Sequence, residues 1–313
     1  MDLRTPGIHH VTAIGSDPGA NRRFYTERLG LRLVKRSVNQ DDTSVYHLFY
    51  GDRSGSPGTS MTFFPYPGAR EGQAGVGQAS TVAFAIPAGS VDYWLDRLDQ
   101  QGVEHDAPVE RFGDTVIGLR DPDGVSLELV ATEDVPPADP PEGPVPAAHA
   151  IRGLFGVTLL LADARSTASL LDGMGFRETA EGENRRRFEA EGDRGAVLDL
   201  QEAPERGRGQ PGAGTIHHVA FRVTEATQSA WREMLIDRGL RPTEIIDRTW
   251  FKSVYARTPG GVLFEFATES PGYTVDEDLA DLGSGLVLPE FLEERRAEIE
   301  AELPALFADA DQQ

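Results

Sequence analysis

The chain has 313 residues, which is enough for two ordinary domains or one large one. Its formal net charge of -21 makes nucleic acid and anionic membrane surfaces unsuitable partners, and the absence of cysteine excludes disulfides, thiolate metal sites and a cysteine nucleophile. No apolar run reaches the length of a membrane span, and the N-terminus lacks the apolar core of a signal peptide. We therefore expect a cytoplasmic protein.

Two segments in the first half of the chain each predict a strand, a helix and three further strands. In the first segment, residues 6–67, an apolar strand precedes a helix that ends at Gly30. In the second segment, residues 79–132, apolar residues at helical spacing predict a helix that ends at Gly102. Each segment is therefore interpreted as one βαβββ module.

The second half repeats this plan after a linker. Residues 135–150 are rich in proline, which removes backbone donors, so they predict a stiff connection over the surface. Two further βαβββ modules follow over residues 152–201 and 215–268. The sequence thus divides into four parts, which are an N-terminal pair of modules (1–134), the linker (135–150), a C-terminal pair (151–268) and a C-terminal helical tail (269–313).

The tail is interpreted as a helix over residues 289–303. It is either a cover for the modules or a dimer element. Phe291, Leu292 and Ile299 fall on roughly one helical face, which favours packing on the protein itself.

Three strand-like stretches carry the residue types of a metal site. Two contain a His-His pair, at residues 9–10 and 217–218, and the third, residues 261–266, holds Glu265 between two phenylalanines. Alternate side chains share a strand face, so Glu265 lies on the face opposite to the phenylalanines. A carboxylate on an apolar face costs several kcal/mol unless it is paired or bound to a cation. One histidine from each pair would complete a two-His-one-carboxylate site, which suits non-haem Fe(II) and oxygen chemistry. Spacing leaves open which histidine of each pair binds.

The repeats predict one metal site and a particular pairing of modules. The copies of the candidate positions hold other residues, namely Thr81 for His218, Gly156 for His10, and Glu128 and Thr62 for Glu265. Modules two and three therefore offer one carboxylate and no histidine. Because His10 lies in module one while His218 and Glu265 lie in module four, these two modules must face each other to bind one ion. Modules two and three would form a second barrel without a metal.

Four βαβββ modules with strand-borne His and Glu resemble the vicinal oxygen chelate superfamily, which includes glyoxalase I and the extradiol ring-cleaving dioxygenases. The chain is most similar to the branch of hydroquinone ring-cleaving dioxygenases typified by dichlorohydroquinone dioxygenases. This resemblance implies an α+β fold in which the modules form two half-open β-barrels. It extends from Gly7 to about Phe291 and rests on several motifs in order, which are residues 33–36, 46–48, 58–59, 63–65, 217–221, 255–262, 272–273 and 276–278.

The resemblance also implies a metal site. It assigns His10, His218 and Glu265 as ligands of Fe(II), with Mn(II) as an alternative metal. Thr12 shares a strand face with His10, which weakly favours the same choice of histidine. The implied partners are a small aromatic diol and O2, and a homo-oligomer is left open.

Further residues are implied around the substrate. His9, Thr12, His217, Arg248 and Tyr255 would contact it, and His217, Arg248 and Tyr255 would also act in catalysis. An arginine there would stabilise an anionic substrate oxygen, and a tyrosine hydroxyl would hydrogen-bond to bound substrate. The chain departs from the family pattern after the arginine, because Thr249-Trp250-Phe251 stands where relatives tend to have glycine and an aromatic residue.

These observations favour an Fe(II)-dependent dioxygenase that inserts O2 into the ring of a hydroquinone-type diol, with or without further substituents. One alternative is a glyoxalase-like, metal-dependent isomerase or lyase. Thr62 disfavours it, because a second glutamate would be needed at that position. The other alternative is a non-catalytic aromatic-binding or resistance protein of the same fold, which the intact set of candidate ligands disfavours.

Overall fold

Each of the four modules forms one strand, one helix and three further strands in the computed structural model, which describes residues 3–307. Module one contains β1 (Ile8–Gly15), α1 (Pro18–Arg23), β2 (Arg32–Asn39), β3 (Asp42–Gly51) and β4 (Ser60–Pro65). Module two contains β5 (Gln78–Ile86), α2 (Val91–Gln100), β6 (Val109–Arg111), β7 (Asp114–Arg120) and β8 (Ser126–Ala131).

The second half of the chain contributes the same sequence of elements. Module three contains β9 (Gly153–Leu161), α3 (Arg165–Gly173), β10 (Arg177–Glu181), β11 (Arg185–Glu189) and β12 (Val197–Glu202). Module four contains β13 (Thr215–Val223), α4 (Gln228–Asp237), β14 (Ile246–Asp247), β15 (Lys252–Arg257) and β16 (Leu263–Thr268).

The first helix shows how local sequence sets these boundaries. The carboxylate of Asp17 accepts a hydrogen bond from the Ala20 amide, and Pro18 occupies the first turn, where its missing N–H costs nothing. The helix continues as a π-helical turn over Phe24–Arg28. It ends at Gly30, whose φ of 73° suits a residue without a side chain.

The strands form two curled eight-stranded sheets, and each sheet joins two modules. The first has the strand order β14-β15-β16-β13-β1-β4-β3-β2, and the second has the order β10-β11-β12-β9-β5-β8-β7-β6. Module one therefore faces module four, and module two faces module three, which confirms the predicted pairing. Each sheet combines one module from before the linker with one from after it.

The strand register of the first sheet brings the two halves of the chain together. The central strands β1 and β13 are antiparallel, with His10 opposite Ala220 and Thr12 opposite His218. On the outer side of β13, Ala220 lies beside Glu265 in the parallel strand β16. Residues 10, 218 and 265, far apart in the sequence, thus lie on adjacent strands.

The apolar faces of the sheets and helices form the core. Phe264 and Phe266 are buried there with Phe221, whereas Glu265 projects to the opposite face, as strand alternation predicted. Trp231 of α4 packs on Phe266, with ring centroids 5.3 Å apart. This packing holds β16 against its helix and fixes the direction in which Glu265 points.

The linker and the tail add little regular structure. The linker, residues 135–150, contains one 3₁₀ turn, Ala147–His149. The tail contains 3₁₀ turns at Tyr273–Val275 and Glu290–Arg295 and a short helix, α5 (Arg296–Glu302). The prediction of one helix over residues 289–303 was therefore wrong in its first half, and residues 308–313 lie outside the described part of the chain.

The tail packs on module one, but with only part of the predicted face. Leu292 and Ile299 are buried and contact Val38 in one apolar cluster. Phe291 is 67% exposed, so its assignment to the buried face was wrong. The first turn is 3₁₀ rather than α-helical, which changes the angle between neighbouring side chains and turns Phe291 outward. Among residues 3–307, no helix is long and apolar enough to cross a membrane.

Candidate metal centre

Three buried side chains meet on the inner face of the first sheet. Nε2 of His218 lies 2.8 Å from Oε2 of Glu265, and Nε2 of His10 lies 3.3 Å from the same oxygen. The two Nε2 atoms are 3.3 Å apart. Within residues 3–307, this is the one group of three His, Cys, Asp or Glu residues whose ligand atoms all lie within 4.8 Å of one another.

The spacing of these atoms fits a metal ion. Ligand bonds of about 2.1 Å at right angles place neighbouring donor atoms about 3 Å apart, which matches the three observed distances. Despite its short distance from His218, Oε2 of the fully buried Glu265 has no aligned hydrogen bond to the described residues. A buried carboxylate oxygen without a hydrogen bond is costly, and a cation between the three atoms would remove this cost.

The carboxylate is held in its anionic form and in a fixed orientation. Burial alone would raise the pKa of Glu265, but attraction to His10 and His218 outweighs burial and places the pKa well below its ordinary value. The hydroxyl of Ser253 donates a hydrogen bond to Oε1. Glu265 therefore offers Oε2 as a charged ligand atom.

Each candidate ligand histidine has a second histidine behind it. Nδ1 of His10 lies 2.9 Å from Nδ1 of His9, and Nδ1 of His218 lies 2.7 Å from Nδ1 of His217. A histidine that binds a metal through Nε2 carries its proton on Nδ1 and can donate it to such a partner. The preceding histidine of each pair can therefore fix the tautomer and the ring orientation of the ligand.

The partner histidines are neutral acceptors. Burial, followed by repulsion from His10, lowers the pKa of His9 to about 3. Burial, followed by repulsion from His218, lowers the pKa of His217 to about 4. At neutral pH both rings are uncharged. Each can therefore accept at Nδ1 the hydrogen bond that the neighbouring ligand histidine donates.

The three candidate ligand atoms lie in the wall of one cavity of about 580 Å³. Most of its surface is aromatic or aliphatic, which suits an aromatic substrate. The cavity contains the candidate ligands together with His217, Arg248 and Tyr255, and its other lining residues are Ile14, Asn39, Gln40, Asp41, His47, Phe49, Phe64, Tyr66, Pro211, Trp250, Phe251 and Leu263.

Arg248 and Tyr255 lie together in this wall. The guanidinium carbon of Arg248 is 5.6 Å from the centre of the Tyr255 ring, and that ring lies 5.7 Å from the ring of His218. Burial, followed by repulsion from Glu265, raises the pKa of Tyr255, so its hydroxyl keeps its proton and can donate it. Strand pairing places Tyr255 directly beside Glu265.

Arg248 is paired with an acidic residue of the same cavity wall. Its guanidinium lies 3.1 Å from the carboxylate of Asp41. The next residue, Thr249, has a φ of 76°. This left-handed conformation favours glycine, and here a threonine adopts it.

Two residues that the resemblance assigned to the substrate do not line the cavity. His9 is 4% exposed and lies behind His10, and Thr12 is fully buried with its hydroxyl 2.8 Å from Nε2 of His218. His9 contacts His10 at Nδ1, on the side away from the other candidate ligands, whereas Thr12 reaches Nε2 of His218 itself. Because neither residue is in the cavity wall, this geometry does not support a direct substrate contact by either one.

Sequence reasoning missed Ser253 and gave no role to His47. Ser253 lies two residues before Tyr255 and reaches the carboxylate of Glu265 from the neighbouring strand. His47 interrupts the apolar run of β3 and lines the cavity. A polar residue in an otherwise apolar strand was the available signal for His47, whereas a serine gives no comparable signal.

The second sheet has no equivalent centre. Ala83 lies between Gly156 and Glu128 in the strand register, as Ala220 does between the candidate ligands of the first sheet. A side chain at Gly156 would collide with the backbone of Val197. Glu128 is paired with Arg111 at 2.8 Å. Glu128 thus has an arginine partner, whereas Glu265 faces two histidines.

The sequence matches the family described as the Glyoxalase/Bleomycin resistance protein/Dioxygenase superfamily over residues 7–129 and 153–266, and the chain belongs to this family. The match confirms the family resemblance that the motifs indicated and, with the two curled sheets, the predicted fold.

Individual relatives that match along nearly the whole chain are named as dioxygenases. A Bacillus subtilis protein named as a ring-cleaving dioxygenase, MhqE, is 42% identical over 308 residues, which cover 97% of this chain and 100% of the relative. A Sphingobium indicum protein named chlorohydroquinone/hydroquinone 1,2-dioxygenase is 33% identical over 302 residues, or 93% of each chain. A crystal structure described as a dioxygenase from Bacillus subtilis has a TM-score of 0.94 and 40% identity, and covers 97% of this chain and 98% of that one.

Proposed function

We propose that this ring-cleaving dioxygenase holds Fe(II) through His10, His218 and Glu265 and inserts O2 into the ring of a hydroquinone-type aromatic diol. The observation that carries the proposal is the convergence of three buried donor atoms in the wall of an aromatic cavity. Two histidines and one carboxylate leave coordination positions open for other molecules. Mn(II) prefers similar ligands and is the alternative metal.

The enzyme class follows from relatives that match along nearly their whole length and are named as ring-cleaving dioxygenases. The name of the Sphingobium relative supports a hydroquinone as the substrate class. A cytoplasmic location stays a prediction from the sequence, which leaves the oligomeric state open.

The metal would supply the redox chemistry that O2 activation requires and a binding position for a substrate oxygen. Residues of the chain orient the candidate ligands and hold the substrate. Ser253 orients Glu265, while His9 and His217 orient the two ligand histidines through Nδ1. The aromatic lining holds the substrate ring and excludes water from it.

Three further residues handle charge and protons. The guanidinium of Arg248 faces the cavity, where it can stabilise a substrate oxygen that has lost its proton. The hydroxyl of Tyr255 keeps its proton and can donate it to the reacting oxygens. His217 is neutral and lines the cavity. Its Nδ1 accepts from His218, so its proton is on Nε2, which can donate a hydrogen bond to a substrate oxygen.

The glyoxalase-like alternative needs a second carboxylate in the site. The position where it would stand is occupied by Thr62, which is fully buried and hydrogen-bonds to Thr12 at 2.7 Å. The non-catalytic alternative does not account for a buried anionic Glu265 aimed at two histidine nitrogens.

The test is to load the protein with Fe(II) without oxygen and then measure O2 uptake with hydroquinone, methylhydroquinone and catechol. We expect uptake with the two hydroquinones, accompanied by loss of the aromatic absorbance. The matched control is Glu265→Gln. Iron binding without O2 uptake on any diol, together with isomerisation of a glutathione hemithioacetal, would overturn the proposal in favour of the glyoxalase-like alternative.

A further inference from the structure

His47 is a polar side chain of the cavity wall to which the proposed chemistry gives no role. Its ring lies between those of Phe49 and Phe64, with centroid distances of 3.8 and 4.4 Å. Nε2 of His47 is 3.0 Å from the hydroxyl of Thr62. Among residues 3–307, Nδ1 has no hydrogen-bond partner, so it is the polar atom of this ring that remains available to a molecule in the cavity.

Two hydroxyls connect His47 with the candidate metal centre. The Thr62 hydroxyl lies 2.7 Å from the Thr12 hydroxyl, which in turn lies 2.8 Å from Nε2 of His218. All three contacts are inside the protein, where each hydroxyl has one proton to donate and needs an acceptor for it. The direction of one hydrogen bond in this chain therefore determines the direction of the others.

A metal held at Nε2 of His218 would fix that direction. It would use the nitrogen lone pair, so Thr12 could no longer donate to it. Thr12 would then donate to Thr62, and Thr62 would donate to Nε2 of His47. Burial lowers the pKa of His47 well below its ordinary value, so the ring is neutral and has a single proton. With Nε2 accepting, this proton is on Nδ1, which makes Nδ1 a donor toward the cavity.

We propose that His47 is a substrate-binding residue whose Nδ1–H donates a hydrogen bond to the second hydroxyl of the diol, the one farther from the metal ligands. The inference rests on the proposed function. In the sheet, β3 is two strands away from β1 and three away from β13, at a spacing of about 4.8 Å per strand. A diol held at the ligands by one oxygen directs its opposite oxygen across the ring, toward a more distant part of the wall.

The role implies a preference for diols over simple phenols. A phenol can bind at the ligands but has no second oxygen for His47. Hydroquinone has that oxygen in the para position. A site that provides a donor for a substrate hydroxyl discriminates against the analogue that lacks it, because the donor is then left unpaired.

Three variants separate the two nitrogens of His47. His47→Phe keeps an aromatic ring between Phe49 and Phe64 but removes both nitrogens. His47→Asn keeps a donor near the position of Nδ1, and His47→Gln keeps a polar group near the position of Nε2, toward Thr62. The proposal therefore predicts that asparagine preserves diol binding, whereas phenylalanine and glutamine do not.

The experiment measures dissociation constants of hydroquinone and phenol for the Fe(II)-loaded protein without oxygen, together with iron content and thermal unfolding. In His47→Phe we expect hydroquinone to bind about tenfold more weakly, with phenol binding and iron content unchanged. His47→Asn should stay within about twofold of wild type. Thr62→Val, which removes the hydroxyl that orients the ring, should also weaken hydroquinone binding without a change in iron content.

Two results would overturn the inference while leaving the proposed function intact. One is a wild-type enzyme that consumes O2 with hydroquinone while His47→Phe binds hydroquinone as tightly as wild type. The other is an equal loss of hydroquinone and phenol binding in His47→Phe, which would indicate general distortion of the cavity. Failure of the Fe(II)-loaded wild type to bind hydroquinone at all would overturn the proposed function as well.

Discussion

Glu265 and Glu128 stand at equivalent positions of the two sheets but have different neighbours. Glu265 faces two histidine nitrogens, whereas Glu128 is paired with Arg111. Glu265→Gln should keep the fold, because the side-chain volume is nearly unchanged, but should lose most metal affinity with the anionic ligand. The measurement is metal content after dialysis against excess Fe(II), with circular dichroism as a check on folding.

Glu128→Gln is the matched control for this comparison. It removes the same charge at the equivalent position and should leave metal content unchanged. Equal metal loss in the two variants would mean that the single-site interpretation is wrong.

Tyr255 tests the assignment of a proton donor. Tyr255→Phe removes one hydroxyl and little volume, and Tyr255 is not one of the three candidate ligands. We expect unchanged iron content and turnover lowered by about ten- to a thousand-fold, the usual scale for loss of one positioned donor. Steady-state O2 uptake with hydroquinone measures the turnover. Full turnover with iron bound would mean that Tyr255 is a packing residue only.

The buried histidines make stability depend on pH. His9 is 4% exposed, and its pKa in the folded protein is about 3, against an ordinary value of 6.5. Because the folded pKa is depressed, the stabilising contribution is complete above pH 6.5 and is lost as pH falls from 6.5 toward 3. The unfolded chain takes up a proton in that range and the folded protein does not.

His9→Gln cannot titrate and should flatten this dependence. In metal-free protein, the difference in unfolding free energy between pH 7 and pH 4 should shrink by about 2 to 4 kcal/mol. Urea unfolding at the two pH values measures it. A variant with the wild-type slope would show that other groups dominate the acid response.

At the scale of single elements, the tail provides a direct comparison of two apolar side chains. Ile299 of α5 is fully buried, while Phe291 in the preceding 3₁₀ turn is 67% exposed. Ile299→Ala should lower the free energy of unfolding by about 2 to 4 kcal/mol through the lost contacts and the cavity left behind. Phe291→Ala should change it by less than about 0.5 kcal/mol. Urea unfolding of both variants measures the difference, and similar losses would mean that Phe291 is also covered.

Sequence patterns predicted the strands well because each strand has its own alternation and its own turn residues. The phenylalanines on either side of Glu265 define the direction of that carboxylate without any tertiary information. The pairing of modules followed from chemistry, because one ion needs all its ligands in one place. The first argument uses only the local sequence. The second uses the single constraint that one ion imposes on its ligands.

The features that the sequence did not predict depend on how each side chain is placed relative to the cavity wall. His9 and Thr12 lie on the same strand as His10, yet they contact the candidate ligands and do not line the cavity. Ser253 reaches Glu265 only because β15 is the neighbour of β16. The tail has a 3₁₀ turn at Glu290–Arg295 where helical spacing predicted the start of a helix. These features depend on which side chain stands in front of another.

At the scale of the whole molecule, two sheets built from related modules have different tasks. The first sheet has the candidate metal centre, and the second has arginine ion pairs at the matching depth. Arg187 is 5% exposed and bonds Asp199 at 2.9 Å and Asp114 at 2.6 Å. Its guanidinium also lies over the ring of Phe155, 5.3 Å from the centroid. The second sheet thus has buried ion pairs where the first has its candidate metal centre.

Arg187→Met should therefore separate stability from catalysis. The substitution keeps much of the apolar stem but leaves two acidic groups without their main partner, and removing one member of a buried ion pair costs about 3 to 5 kcal/mol. The control is Arg186→Met on the same strand, where the partner Glu178 is half exposed and the expected loss is below about 1 kcal/mol. Iron content and O2 uptake per folded molecule should stay at wild-type values in both variants, since the first sheet is untouched. Urea unfolding, metal analysis and O2 uptake measure the three quantities. If Arg187→Met lost iron or turnover at unchanged stability, the second sheet would have to act on the metal centre, and its role would extend beyond support of the fold.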